Sequence, residues 1–469
     1  MKQFSFDNYI SPFTWRYGSY EMRRIFSEKH KYEIWRKIWV VLAEVQYNAG
    51  LVSKKELDDL KKNQNNIDIN RILEIEKETK HDVVAAIKEF AEKAKIGGGK
   101  IHLGATSMDV VDNTDSIRMI EALEIIETKL ITILKLFSKK IEKYAKIPCI
   151  GFTHLQPAEP TTVGYRFAFY AQDLLLDYRY LQFIKKIIKG KGLKGAVGTS
   201  ASYTALLKDN KMSAEKLEEM VMEKLGIDPL LVSSQVSTRK LDYFVLNLLS
   251  SVSSSLSKFA ADLRILQSPM YGEWSEPFGK KQVGSSAMPF KKNPINSEKI
   301  CSLSRFIDKL PMTALENATY SYLERTLDDS ANRRVIVPEA FLALDEILNT
   351  ASKIVSGMII NEKRITHNLK QFAPFAATEG ILMESVKKNA DRQIMHEILR
   401  EISLIAWQEI QEGKPNRMET LLTENKIIKK YLPKEVLQKL LDVSTHIGNA
   451  SERSLKLTKQ IKKIINTSS

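Results

Sequence analysis

The chain has 469 residues, enough for about three domains. Hydrophobic residues make up 43% and charged residues 27%, a balance that permits a sizeable core and excludes a disordered chain. The formal net charge is +14, but Lys is spread along the chain beside Glu and Asp at helical spacing. Nucleic-acid binders gather their basic residues on one face or tail, so no nucleic-acid partner is expected. A positive field of this kind still helps to collect a small anionic substrate.

No apolar run reaches the roughly 18 residues that a membrane-spanning helix needs, so no membrane partner is expected. The opening Met1-Lys2-Gln3-Phe4-Ser5-Phe6-Asp7 lacks the apolar centre of a secretory signal, which predicts a cytoplasmic protein. The only cysteines, Cys149 and Cys301, are too few for a disulfide framework and are read as small core residues.

Along the chain the hydrophobic periodicity is helical almost throughout, which predicts an all-α fold. A first helical segment, 1–108, ends after the break at Gly97-Gly98-Gly99. A central segment, 109–358, follows. In it Ile117, Ile120, Leu123, Ile126, Leu130, Ile133 and Phe137 recur at steps of three and four, one apolar stripe on a long helix. Similar stretches cover 161–189, 240–268, 295–318 and 330–358, lengths that favour a bundle of long packed helices. The pattern breaks at Asn361-Glu362-Lys363-Arg364, and a third segment, 359–469, is expected to hold shorter helices. Its last residues, Asn466 to Ser469, are expected to fray.

One segment carries more chemistry than the rest: Gly284-Ser285-Ser286-Ala287-Met288-Pro289-Phe290-Lys291-Lys292-Asn293-Pro294. It reads as a polar loop before a helix that opens near Ile295, offering two hydroxyls, a cation and an amide. A helix start adds unpaired backbone N–H groups, and the set together suits an anion or a developing carboxylate charge. Gly190-Lys191-Gly192-Leu193-Lys194-Gly195 fits a GxGxxG string, but a helical stretch precedes it where a dinucleotide site needs a strand. It is read as a flexible loop covering the substrate, with Thr199 and Ser200 as candidate contacts. No HExxH occurs and the His are scattered, so neither a metal nor a cofactor is expected.

The 284–294 string resembles the signature loop of the fumarase/aspartase superfamily. Thr153-His154-Leu155-Gln156-Pro157 and Ile101-His102-Leu103-Gly104-Ala105-Thr106-Ser107 resemble two further superfamily segments, in the expected order. Four more stretches resemble the adenylosuccinate lyase family in its animal-like branch. They are Trp15-Arg16-Tyr17 with Ser19 to Met22, Lys80-His81-Asp82-Val83, the run Leu193 to Ser200, and Glu324-Arg325-Thr326-Leu327-Asp328-Asp329-Ser330-Ala331-Asn332-Arg333-Arg334. The resemblance implies a three-domain fold with a central bundle of long helices. It also implies a homotetramer whose sites are shared between subunits, and elimination of fumarate from adenylosuccinate and from SAICAR in purine biosynthesis.

The resemblance makes His154 the general acid and Glu298 its orienting partner. It makes Ser285 the general base, with Ser286 as the neighbour that stays open, and gives Lys291 and Asn293 to the carboxylate that becomes the aci-acid. Met288 joins the substrate contacts of the loop. His81 is a second acid/base candidate or a substrate contact flanked by Lys80 and Asp82; as a residue alone it reads equally well as the polar face of a helix. Thr106, Ser107, Thr153 and Gln235 resemble the succinyl contacts. Arg16, Tyr17, Arg325, Ser330 and Arg334 resemble the nucleotide set, because arginine forks suit phosphate oxygens and Tyr can stack on a purine. Arg325 and Arg334 could equally pair with Asp328 or Asp329, and both roles can coexist. Lys299 stands where the animal-like enzymes tend to carry Arg, which keeps the charge and loses the fork. The rival readings are another fumarate-releasing lyase, such as an argininosuccinate lyase, and a non-catalytic helical scaffold or basic nucleic-acid-binding protein.

Overall fold

The computed structural model describes residues 6–279 and 281–467, so Ser468 and Ser469 of the expected frayed end lie outside it, while Asn466 and Thr467 close a helix that starts at Ala450. Helices carry nearly all the regular structure. The strands among the described residues are the hairpin Pro148–Thr153 with Gln156–Thr162 and the short antiparallel pair Trp274–Ser275 with Ile359–Ile360. Among the described residues five helices run 25 residues or more: Ser107–Tyr144, Val163–Ile187, Lys240–Gln267, Ser330–Gly357 and Glu362–Lys387. The stripe on the first of these is fully buried at Leu123, Ile126, Leu130, Ile133 and Phe137, and half-buried at Ile117 and Ile120.

Two expectations need correction. The stretch 295–318 is not one helix but two, Ile295–Ile307 and Leu310–Thr319. Pro311 sits in the first turn of the second, where it has no N–H to extend the helix before it. The helices after residue 359 are not all short either, since Glu362–Lys387 and Arg392–Gln411 run 26 and 20 residues.

Packing divides the chain into two compact units, each assembled from separate stretches. The first comprises the described residues up to Leu130 with Asp177–Ser254 and Ser302–Asn349. Its core is built on the Glu28–Asn48 helix. Tyr32, Trp35 and Trp39 of that helix are buried, with Phe90 from Asp82–Lys93 and Leu217 and Val221 from Ala214–Leu225 in the same cluster. Large side chains of this kind contribute about 1.5–3 kcal/mol each when fully buried. Arg36, stacked on the Phe90 ring, forms a buried pair with Glu89.

The second unit comprises Ile131–Leu176, Ser255–Cys301 and the described residues from Thr350 onward. Phe137, Phe167, Phe259 and Trp274 interlock there, with Phe167 stacked on Trp274 at 4.4 Å between ring centroids and Phe137 edge-on to Phe259 at 5.2 Å. A further cluster, including Ile381, Met395, Ala406 and Leu422, unites its C-terminal helices. Both cysteines are buried and unpaired, as expected, and burial pushes the Cys149 thiol up to about 11.

Candidate active site

In the first unit, a cavity of about 730 Å³ draws its walls from five regions of sequence. Lys80, His81, Asp82, Thr106, Ser107, Gln235, Arg325, Ser330 and Arg334 all line it. Residues separated by more than 200 positions are thus gathered in one place, and each was nominated from sequence. Tyr32, Trp35, Arg118 and Arg333 line it too and were not. Arg333 lies inside the 324–334 motif without having been singled out, and no motif marks the other three, which as isolated residues look like ordinary core and surface positions.

The turn at 80–82 shows how local chemistry places a side chain. Lys80 ends the Ile69–Thr79 helix in the left-handed region (φ 54°), and its N–H donates to the Glu76 carbonyl at 2.8 Å. His81 is extended and caps the Asp82–Lys93 helix, so it does not lie on a helical face. Its Nδ1 accepts from the Val84 N–H at 3.5 Å, and its Nε2 lies 3.5 Å from the Ser107 hydroxyl. The Asp82 carboxylate stands 3.6 Å from His81 Nδ1 and accepts from Arg334 Nη2 at 3.2 Å.

Ser107 opens the long helix, and the backbone N–H of Thr106 donates to Asp109 Oδ2 at 3.0 Å. Asp109 is fully buried and forms an ion pair with Lys191, which is also fully buried. The same carboxylate accepts from the backbone N–H groups of Lys194 and Gly195 at 3.2 Å, while Gly192 N–H donates to Asn113 at 3.0 Å. The segment 190–195 is therefore no flexible cover. An anchoring carboxylate holds it inside the unit, and neither Thr199 nor Ser200 lines the cavity. Nearby, Trp39 Nε1 donates to His102 Nδ1 at 3.0 Å, and burial pushes the His102 imidazole down to about 4.

The 324–334 segment supplies arginines already partnered by carboxylates. Arg325 Nη1 donates to Asp329 Oδ1 at 2.7 Å, and Arg334 reaches Asp82 rather than Asp328 or Asp329. Arg16 and Tyr17 follow the short Pro12–Trp15 helix. The Arg16 guanidinium lies 5.5 Å from the Trp15 ring centre and the Tyr17 ring 5.8 Å from that of Phe13. Neither lines the cavity.

The second unit carries the remaining nominated residues on two exposed features. His154 and Leu155 form the two-residue tip of the strand hairpin, with Thr153 paired to Gln156. Both tip residues have positive φ, 53° and 59°, the pattern of a type I′ turn that Asn and Gly usually occupy. The Leu155 carbonyl accepts from the Tyr271 hydroxyl at 3.0 Å.

In the 284–294 loop, Ser285 Oγ accepts from the backbone N–H of Met288 at 3.1 Å and of Ala287 at 3.4 Å. Ser286, Met288 and Lys291 are exposed, and Asn293 Nδ2 closes the loop on the Gly284 carbonyl at 2.8 Å. In the helix that follows, Ile295–Ile307, two of the N–H groups at the start are already taken. Glu276, nearly buried, accepts from Asn296 N–H at 3.2 Å and Ser297 N–H at 2.5 Å. A carboxylate from the chain itself occupies that anion position, so the donors aimed at the loop hydroxyl come from Ala287 and Met288 instead. Glu298 is exposed on the first turn of this helix. Among the described residues, Glu159, Glu379 and His446 approach metal-ligand geometry, but all three are exposed, and Glu379 pushes the Glu159 carboxyl up.

The family model described as "Lyase" matches residues 16–307, and that described as "Adenylosuccinate lyase C-terminus" matches 374–454. The adenylosuccinate lyase of Saccharomyces cerevisiae is 38% identical over 96% of this chain and 93% of its own length. That of Schistosoma mansoni is 38% identical over 96% and 94%, and that of Methanocaldococcus jannaschii 36% over 94% of each. Among solved structures, a 3-carboxy-cis,cis-muconate lactonizing enzyme from Pseudomonas putida superposes with a TM-score of 0.84 at 22% identity, covering 96% of this chain and 99% of that one. A fumarate lyase from a Mesorhizobium species gives 0.83 at 20%, with the same coverage. These two likenesses are of fold alone. With relatives of this identity spanning nearly its whole length, the chain belongs to the adenylosuccinate lyase family.

Proposed function

We propose that the chain eliminates fumarate from adenylosuccinate, leaving AMP, and from SAICAR, leaving AICAR. A base takes a proton from the succinyl carbon next to a carboxylate, the electron pair of the C–N bond passes to nitrogen, and an acid protonates that nitrogen as fumarate leaves. The observation that carries this reading is the cavity where His81, Thr106, Ser107, Gln235, Arg325, Ser330 and Arg334 meet, in a chain whose full-length relatives are named adenylosuccinate lyases. Guanidinium groups there suit a nucleotide phosphate, and hydroxyl and amide groups suit succinyl carboxylates.

In this reading Ser285 is the base. A serine hydroxyl ionises only where its alkoxide is stabilised, and the N–H groups of Ala287 and Met288 directed at its oxygen supply part of that stabilisation. Lys291 supplies the cation, Asn293 and Met288 shape the loop, and Ser286 remains the alternative hydroxyl. His154 is the acid and Glu298 its orienting partner. A histidine held in a left-handed turn at an exposed tip costs backbone energy that a glycine would not, as expected where position serves chemistry. Thr153 joins the succinyl contacts, while Arg16 and Tyr17 join the nucleotide set.

The protein acts as a cytoplasmic homotetramer, with segment 109–358 carrying the subunit contacts between the 1–108 and 359–469 segments. Each site takes the 81, 154 and 285 regions from three subunits. Among the described residues no helix is long and apolar enough to cross a membrane. The test is direct: purified protein mixed with adenylosuccinate should show the ultraviolet change of fumarate loss. The Ser285→Ala variant should still bind substrate while turnover nearly disappears. Absence of turnover by the intact protein would reject the reading, and near-normal turnover in the variant would transfer the base role, first to Ser286.

A further inference from the structure

Behind the cavity wall lies a buried ion-pair chain that none of the roles above uses. Arg239, its side chain 1% exposed, directs Nη1 to Asp112 Oδ1 at 3.0 Å and Nε to Asp329 Oδ2 at 2.6 Å. Asp329 offers its other oxygen to Arg325 Nη1 at 2.7 Å. Asp112 also accepts from the Ser237 N–H at 2.7 Å and hydroxyl at 3.1 Å, and Gln235 N–H donates to the Glu324 carbonyl at 3.2 Å. One cluster thus ties the start of the Ser107–Tyr144 helix, the 235–239 stretch and the 324–329 stretch together. The 235–239 stretch presents Gln235 to the cavity, and the 324–329 stretch presents Arg325, Leu327 and Asp329.

Buried ion pairs of this kind are poor stabilisers, because desolvating both partners cancels most of their attraction. Their distinct contribution is geometric. Asp329 has both carboxylate oxygens engaged by guanidinium groups, so the Arg325 fork cannot rotate without breaking a charge-assisted bond. The other donors of Arg325 make no hydrogen bond among the described residues, and its side chain lines the cavity. Burial alone would raise the Asp329 carboxyl, yet Arg239 and Arg325 hold it below the usual range, so it is ionised at neutral pH.

We propose that Arg239 is a positioning residue for phosphate recognition: anchored on Asp112, it fixes Asp329, and Asp329 aims the free donors of Arg325 at the nucleotide phosphate. The inference rests on the assignment of Arg325 to the phosphate made above. It predicts that Arg239, which touches no substrate, sets affinity for the phosphate and not for the nucleoside.

Calorimetric titration of the intact oligomer with AMP and with adenosine separates the two. In the wild type AMP binds more tightly. Asp329→Asn keeps the shape and removes the charge. Arg239→Lys keeps the charge and removes the fork. Each should weaken AMP roughly tenfold, the loss of one charge-assisted bond, and leave adenosine unchanged. The KM for adenylosuccinate should rise by a similar factor, with kcat falling less. Arg325→Ala should weaken AMP at least as much, and adding Arg239→Lys to it should cost nothing further, because the path is already cut. An unchanged ratio of AMP to adenosine affinity in Asp329→Asn, or additive losses in the double variant, overturns the inference and leaves the proposed reaction standing. A wild type that binds AMP no better than adenosine overturns the phosphate assignment of Arg325 and this inference with it.

Discussion

His102 stands in the same segment as Thr106 and Ser107 but has a different physical character from the other histidines discussed. Burial lowers its imidazole to about 4, Asp109 opposes that shift and His81 reinforces it. An ordinary histidine titrates near 6.5, so in the range between the two values the unfolded chain binds the proton and the folded chain does not. Its contribution to stability is complete above about pH 6.5 and is lost as pH falls toward 4, about 3 kcal/mol in all. His102→Asn should remove this dependence while keeping the fold. Its amide oxygen can accept from Trp39 in place of Nδ1, and Asn tolerates the positive φ of 65° at this position. Denaturant unfolding at fixed protein concentration, at pH 7.5 and pH 5.0, should show the variant losing about 2 kcal/mol less than the wild type. Equal losses would mean that His102 is protonated in the folded protein.

His30 shifts the other way. Its hydrogen bond to Glu121, at 2.6 Å, is the largest cause of a raised pKa. The stabilisation it brings is present below about pH 6.5 and fades as pH rises through the raised value. The two histidines therefore oppose each other, and a pH–stability curve should broaden on the alkaline side when His30→Gln removes the second one.

Among the elements, the 284–294 loop depends on a single residue with no functional group. A Cβ placed on Gly284 would overlap the carbonyl oxygen of Lys291, the strand of loop that Asn293 pins to the Gly284 carbonyl. Gly284→Ala must displace the Lys291 backbone from Gly284 and so reshape the loop that carries Ser285. Misplacement by about 1 Å can cost about a hundredfold in rate, whereas an exposed loop contributes little to global stability. The variant should therefore lose kcat on that scale with a nearly unchanged thermal midpoint, and a kcat close to wild type would show that the loop takes another arrangement during turnover.

The elements also show what could be read beforehand. Helix existence was legible wherever apolar residues kept a step of three or four, from Leu123 to Phe137 most clearly. The break at Asp308-Lys309 was not, because the apolar rhythm continues through it and only Pro311 signals the new start. Nominated residues at 80–82, 106–107 and 235 and from 325 to 334 meet in the cavity, whereas those of the 153–157 and 284–294 motifs lie on the second unit and Arg16 and Tyr17 lie outside the cavity lining. The tie between Asp109 and segment 190–195 was invisible, since a glycine-rich run with two lysines looks mobile until its buried carboxylate partner is known. The capping of Ile295–Ile307 by Glu276 was hidden for the same reason: the acceptor lies 20 positions upstream. Long-range pairing of polar groups leaves no periodic trace in sequence.

At the scale of the whole molecule, the Val163–Ile187 helix leaves Phe169, Leu176 and Phe183 exposed at steps of seven, each more than half accessible. Large apolar side chains repeating on one face of a long helix form a seam that another helix can cover. The net charge of +14 does not oppose such association strongly, because Lys is interspersed with acidic residues and salt screens what remains. If assembly also completes the active sites, an arithmetic test separates shared sites from private ones. With the roles proposed for them, His154→Ala and Ser285→Ala should each inactivate every site of a uniform oligomer. In hybrids formed by random exchange of equal amounts, a site that takes its 154 and 285 regions from different subunits receives both intact residues about one time in four. The mixture should therefore recover up to about a quarter of wild-type activity as exchange, followed with distinguishably tagged chains, goes to completion. A site built from one chain would recover none however complete the exchange, because every chain carries one of the two lesions. Recovery thus measures whether His154 and Ser285 of different chains act on one succinyl group.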